Sequence, residues 1–171
     1  MSDTTGNDIK TYRITVTITN TTPATDSGGW QIGMSWRKTL LLDPKDSDKA
    51  RALRSQATAA SYEDDMKGMR DLNRQAETVI HDEWKRLRQQ ARNLIAILNG
   101  RNRPVDAHGM PLWDRGYALY NSKCWQWELV AAQSTCISEI MAAAGIDDWP
   151  PADTMPVIDG PEITINLSVI D

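Results

Sequence analysis

Near both ends of the chain, apolar and polar residues alternate singly; through the middle, apolar residues recur three and four positions apart. In "TYRITVTITN" Tyr12, Ile14, Val16 and Ile18 alternate with Arg13, Thr15, Thr17 and Thr19. A period of two places them on opposite faces of a strand with one buried side. "TTPATDSGG" is rich in turn formers. "WQIGMSWRKTLLL" then alternates again, with Trp30, Ile32, Met34 and Trp36 on one face. The same pattern returns in "EITINLSVID", where Ile163, Ile165, Leu167 and Val169 oppose Thr164, Asn166 and Ser168.

Between these strands the spacing is helical. Asp43 as N-cap and Pro44 at the first helical position predict a short helix over 44–60, with a thin apolar face of Ala50, Leu53, Ala57 and Ala60. Ser61 with Asp64 predicts the start of a long helix running to Leu98. Its stripe is Met69, Leu72, Ala76, Val79, Ile80, Leu87, Ala91, Leu94, Ile95 and Leu98, and Asn99-Gly100 is its expected end. Tyr117, Tyr120, Cys124, Trp127, Ala131, Ile137 and Met141 predict a further helix over 113–144, closed by Gly145. "DDWPPADTMP" falls in an irregular stretch over 145–160.

These elements predict an α+β fold. A small antiparallel sheet, made of two N-terminal strands plus the C-terminal strand, packs on a long antiparallel helical hairpin with a shorter third helix. The chain reads as a single domain over 1–171: β over 1–42, helical over 44–144, loop over 145–160, and strand over 162–170. The C-terminal strand is expected to pair with one of the N-terminal strands. Three strands leave two edges, and the polar faces here carry Thr, Ser and Asn rather than the charge or Pro that guards natural edges. An unguarded edge is either covered within the chain or paired with another molecule.

Composition adds a charge layout. The 171 residues include seven Trp, seven Met and no Phe. The net charge of −4 is uneven: residues 105–171 hold 2 basic and 10 acidic side chains, whereas residues 43–104 hold 13 and 10. With the hairpin above, this layout predicts a basic tip around 88–115 and an acidic opposite end. No apolar run approaches the roughly 20 residues that span a bilayer. "MSDTTGNDIK" lacks an apolar core of the signal-peptide kind. Cys124 and Cys136, placed on one predicted helix, stand about 18 Å apart, beyond disulfide reach. A cytoplasmic protein, or a virion component, and no membrane partner are the expectation.

Motifs for catalysis are sparse. Neither GxxxxGK[ST] nor GxGxxG occurs. Of the two histidines, His81 follows Glu77 by one helical turn, and His108 follows Asp106 in "VDAHG"; a solvated helix face and a plain turn explain them. "EDD" at 63–65 fits acid at a helix N-terminus. No catalytic, cofactor or metal residue is assigned.

Basic residues are better organised. Arg74, His81, Lys85, Arg88 and Arg92 fall within about 60° of one another around the long helix, over about 27 Å of its length. Arg101 and Arg103 extend the charge into the next loop. Such a ridge fits a nucleic-acid backbone. Trp125, about 200° from Trp127 on the predicted helix, is left outside the core stripe. Trp113 beside Arg101 and Arg103 has the aromatic-plus-Arg composition of interface hot spots.

The reading is a non-enzymatic protein–protein interaction protein. It acts by oligomeric assembly, with a homo-oligomer expected, or by docking on a larger complex, as a virion component or a phage-type inhibitor would. Trp113, Trp125, Arg101, Arg103, Ile163, Ile165, Leu167 and Val169 are the partner-binding residues. The alternatives are a nucleic-acid-binding subunit using the ridge over 74–103, and an enzyme with a site of scattered carboxylates.

Overall fold

The computed structural model describes residues 9–21, 31–113, 115–120, 124–130, 132–158 and 161–170; Trp30 lies outside them. The described chain is α+β. It divides into two compact units, one of residues 1–11, 42–89 and 171, the other of residues 12–41 and 90–170.

In the first unit, Asp43 accepts a hydrogen bond from the Lys45 amide at 2.9 Å and starts a single 3-10 turn, Pro44–Asp46. Ser47 then caps α1 (Asp48–Tyr62) by accepting from the Ala50 amide. The next helix, α2 (Met66–Leu98), begins later than its sequence signal. Asp65, not Ser61, supplies the cap, accepting from the Gly68 amide at 2.9 Å. The buried stripe of Ala76, Ile80, Leu87, Ala91, Leu94, Ile97 and Leu98 follows the expected period. The helix ends as expected, with Gly100 at φ 95° and its amide bonded to the Ile97 carbonyl.

The second unit holds β1 (Thr11–Thr19) from Tyr12 on, β2 (Ser35–Leu42) to Leu41, β3 (Arg115–Tyr120), β4 (Cys124–Val130) and β5 (Glu162–Ile170). They form one five-stranded sheet in the order β2-β1-β5-β4-β3. Hydroxyl pairs Thr15–Thr39 and Thr19–Ser35 run in opposite directions along β1 and β2, as an antiparallel pair requires. β3–β4 and β4–β5 are antiparallel, with Trp127 opposite both Ala118 and Ile165.

Two expectations are corrected here. The helix over 113–144 is instead β3, β4 and a short α3 (Cys136–Ala143). Residues 124–130 alternate Trp125, Trp127 and Leu129 against Gln126 and Glu128, and the free edge of β5 selects that period of two over the weaker period of 3.6. The second arm of the helical hairpin is therefore absent, and with it the basic tip and acidic base. Cys124 and Cys136 lie on different elements, and Trp125 shares a face with Trp127, their rings edge to face at 6.0 Å. The sheet has five strands rather than three, and its C-terminal strand is not an edge: β5 lies between β1 and β4. Of the two edge strands, β2 and β3, β2 carries Arg37 and Lys38, the usual charged guard of an edge.

One sheet face is the core. Ile14, Val16, Ile18, Trp127, Ile163 and Ile165 are each fully buried. Burial of each such side chain stabilises by about 1.5–3 kcal/mol. Ala91, Leu94, Ile97 and Leu98 at the end of α2, with Ile137, Ile140 and Met141 of α3, supply the helical side of this unit. Polar contacts fix the elements: the Trp127 indole donates to Asn99 at 2.8 Å, and the Gln90 amide group donates to the Gly145 carbonyl at 2.7 Å.

Candidate interaction surface

The expected partner-binding residues separate into buried and exposed sets. Ile163, Ile165 and Leu167 are core residues on a central strand, and Val169 alone of that row is exposed. With both edges of β5 occupied, strand addition to it is closed. Trp113 is 1% exposed, and the Arg103 guanidinium sits over its ring at 5.3 Å while donating to its carbonyl. Together they pin the 103–113 loop inside this chain. Trp125 is half-buried, and Arg101 is exposed. In the same loop, Asp106 accepts from the amides of His108 and Met110, so "VDAHG" is a turn.

The ridge on α2 carries less free charge than its sequence shows. Arg74 pairs with Asp71 one turn earlier, at 3.5 Å. His81 stacks on Trp84 with centroids 5.8 Å apart, and Arg88 lies over the same indole at 5.1 Å. Arg86 binds Glu83 through two nitrogens, and this hydrogen bond holds the Glu83 carboxyl below its usual pKa. Lys85 and Arg92 remain exposed and without an ion pair among the described residues.

A different surface emerges from the polar halves of the strands. Arg37 and Thr39 on β2, Arg13, Thr15 and Thr17 on β1, Thr164 and Asn166 on β5, and Gln126 on β4 line one shallow concavity of about 620 Å³. It crosses four strands and contains two guanidinium groups, no carboxylate and no apolar side chain. Neither Arg13 nor Arg37 has an ion pair among the described residues. The sequence signal for this face was present in every alternating strand, as the half that does not enter the core. Leu41, 54% exposed, continues the same alternation at the end of β2.

Acidic groups gather elsewhere in the same unit. Between Glu139 and Glu162 the sequence holds six carboxylates and no Lys or Arg. Of these, Glu139, Asp147, Asp148 and Asp153 are exposed on α3 and the segment after it. The Cys136 thiol on α3 is buried, and that burial, with the nearby Glu139 charge, pushes its pKa up to about 12. Among the described residues no group of three or more His, Cys, Asp or Glu is placed to hold a metal ion, and no helix is long and apolar enough to cross a membrane. No protein family, curated protein or solved structure matches this chain.

Proposed function

We propose that this chain is a non-catalytic interaction protein that self-assembles head to tail, the open sheet face of one copy receiving the acidic surface of the next. The observation that carries the reading is a charge match within one unit. Arg13 and Arg37 stand without an ion pair among the described residues in a concavity whose lining holds no carboxylate; Glu128 and Glu162 of the same sheet face lie outside that lining. Glu139, Asp147, Asp148 and Asp153 stand exposed in the stretch 139–162, which has no Lys or Arg. The two patches lie on different elements, so contact between copies is heterologous and propagates as a ring or a filament.

Area sets the strength. Four strands about 4.8 Å apart and about 25 Å long present on the order of 500 Å², against about 800 Å² per partner in a standard interface. Exposed pairs of the Arg–carboxylate kind contribute about 0–1 kcal/mol each and are screened by salt. Association of this kind is weak and salt-sensitive. Light scattering on purified protein at low and moderate salt tests it: the weight-average mass exceeds the monomer at low salt and falls toward it as salt rises. A monomer at all salt and protein concentrations contradicts it.

A nucleic-acid-binding subunit is the second reading, favoured by Arg92 and Arg101, both exposed in the second unit. Two phosphate contacts correspond to a slope of about −1.8 in log K against log salt on duplex DNA. A sample that purifies with nucleic acid, is stripped by salt, and loses it on Arg92→Glu and Arg101→Glu substitution supports this reading over assembly.

A further inference from the structure

In the first unit, Ile9, Lys45, Arg54, Glu77, Ile80 and His81 line a cleft of about 720 Å³. This is within the range of small-molecule sites, about 300–1,000 Å³. Three elements build it. The capped 3-10 turn after Asp43 presents Lys45, α1 presents Arg54, and α2 presents Glu77, Ile80 and His81 at positions i, i+3 and i+4, which share one helical face. Buried Ile80 and half-buried Ile9 give the lining an apolar part, and Lys45, Arg54 and Glu77 are exposed.

The charges in this cleft do not satisfy one another. Glu77 lines the same space as Lys45 and Arg54, yet none of the three has an ion pair among the described residues. Arg51, one turn before Arg54 on α1, shows the contrast: it is paired with both Asp46 and Asp48. His81 is braced by its stacking on Trp84.

We propose that this cleft binds a small phosphate monoester with a compact apolar body. An Arg fork and a Lys point charge are the side chains suited to a phosphate group. The His81 imidazole adds a third donor, and Ile9 and Ile80 receive the apolar body. Glu77 disfavours an extended polyanion and sets the affinity of a single phosphate below what the two cations alone would give. This site is independent of the assembly surface, which uses residues of the other unit.

Isothermal titration with phenyl phosphate, inorganic phosphate and benzoate tests the assignment. Phenyl phosphate gives saturable one-to-one binding. Arg54→Gln and Lys45→Gln each weaken it about tenfold, and Glu77→Gln tightens it severalfold by removing a like charge. Ile9→Ser weakens phenyl phosphate but leaves inorganic phosphate unchanged. All four positions lie at the surface or half-buried, and matching thermal melts confirm that the variants fold. Three results overturn the proposal: no saturation by wild-type protein in the millimolar range, equal affinity in wild type and the two cation variants, or benzoate binding more tightly than phenyl phosphate.

Discussion

Two serines one turn apart make opposite predictions from the same substitution. Ser134, 1% exposed just before α3, donates its hydroxyl to the Pro156 carbonyl at 2.7 Å and accepts from the Ile158 amide at 3.0 Å. It thereby staples the 156–158 stretch, including fully buried Ile158, to the start of the helix. Ser134→Ala strands one buried carbonyl and one buried amide. At about 1–3 kcal/mol per orphaned group, less the hydroxyl's own desolvation, the loss is about 2–4 kcal/mol. Ser138, within α3, has a buried Oγ with no partner among the described residues. Ser138→Ala removes a polar group already without a hydrogen bond, and is neutral or stabilising by up to about 1 kcal/mol. Urea titration followed by tryptophan fluorescence reads both. With m near 2 kcal/mol/M, Ser134→Ala lowers the midpoint by about 1–2 M and Ser138→Ala leaves it unchanged or raised. A Ser134→Ala midpoint at the wild-type value refutes the stapling role, and an equal loss in both variants refutes the distinction between them.

Three further outcomes follow from particular contacts. Ile165→Ala, at a fully buried site on the central strand, destabilises by about 2–5 kcal/mol, and the same melts check it; an effect under about 1 kcal/mol means β5 is not central. Cys136, with its thiol pKa pushed up to about 12, resists maleimide at pH 8 in the folded protein and reacts in urea, as peptide mass mapping distinguishes. Because Arg86 lowers the folded-state pKa of Glu83, the pair contributes above the unfolded carboxyl pKa, and this contribution is lost as pH falls through the folded value. Glu83→Gln therefore costs a few tenths of a kcal/mol at pH 7 and nothing near pH 2, a small figure because the Arg86 side chain is 57% exposed.

Legibility in the sequence tracked how local each signal was. β1 and β5 were readable because strict alternation over nine residues has few competing explanations. β2 was placed only in part: of the expected inward row Trp36 alone lies in Ser35–Leu42, Ile32 and Met34 are exposed before it, and Trp30 lies outside the described residues. The long helix was readable because its stripe persists over 33 residues. Residues 113–130 were not. Tyr117, Tyr120, Cys124 and Trp127 mimic a helical stripe, while Trp125, Trp127 and Leu129 fit a strand equally well. The choice was made by β5, some forty residues away, whose open edge needed a partner; a period alone does not report that need. The same nonlocality hid the candidate surface. Arg13 and Arg37 sit in different strands, and only the β2-β1-β5-β4 order brings them onto one face with Gln126 and Asn166. Trp113 and Arg103 did lie together as expected, but their contact is internal.

The central claim is complementary assembly between the open sheet face and the acidic surface, and a charge exchange tests it most directly. Arg13→Glu with Arg37→Glu places acid on the sheet face; Asp147→Lys with Asp148→Lys places base on the other surface. Sedimentation velocity at low salt measures each double variant alone and the two double variants mixed. Each double variant alone is monomeric. The first carries acid on both surfaces; in the second the two added lysines cancel the remaining carboxylates, Glu139 and Asp153, so its acidic surface no longer attracts Arg13 and Arg37. In the mixture, the unaltered Arg13 and Arg37 of one variant meet the unaltered acidic surface of the other, so association returns. Association by either double variant alone at the wild-type level, or a mixture that stays monomeric while wild type assembles, contradicts the assignment of these two surfaces.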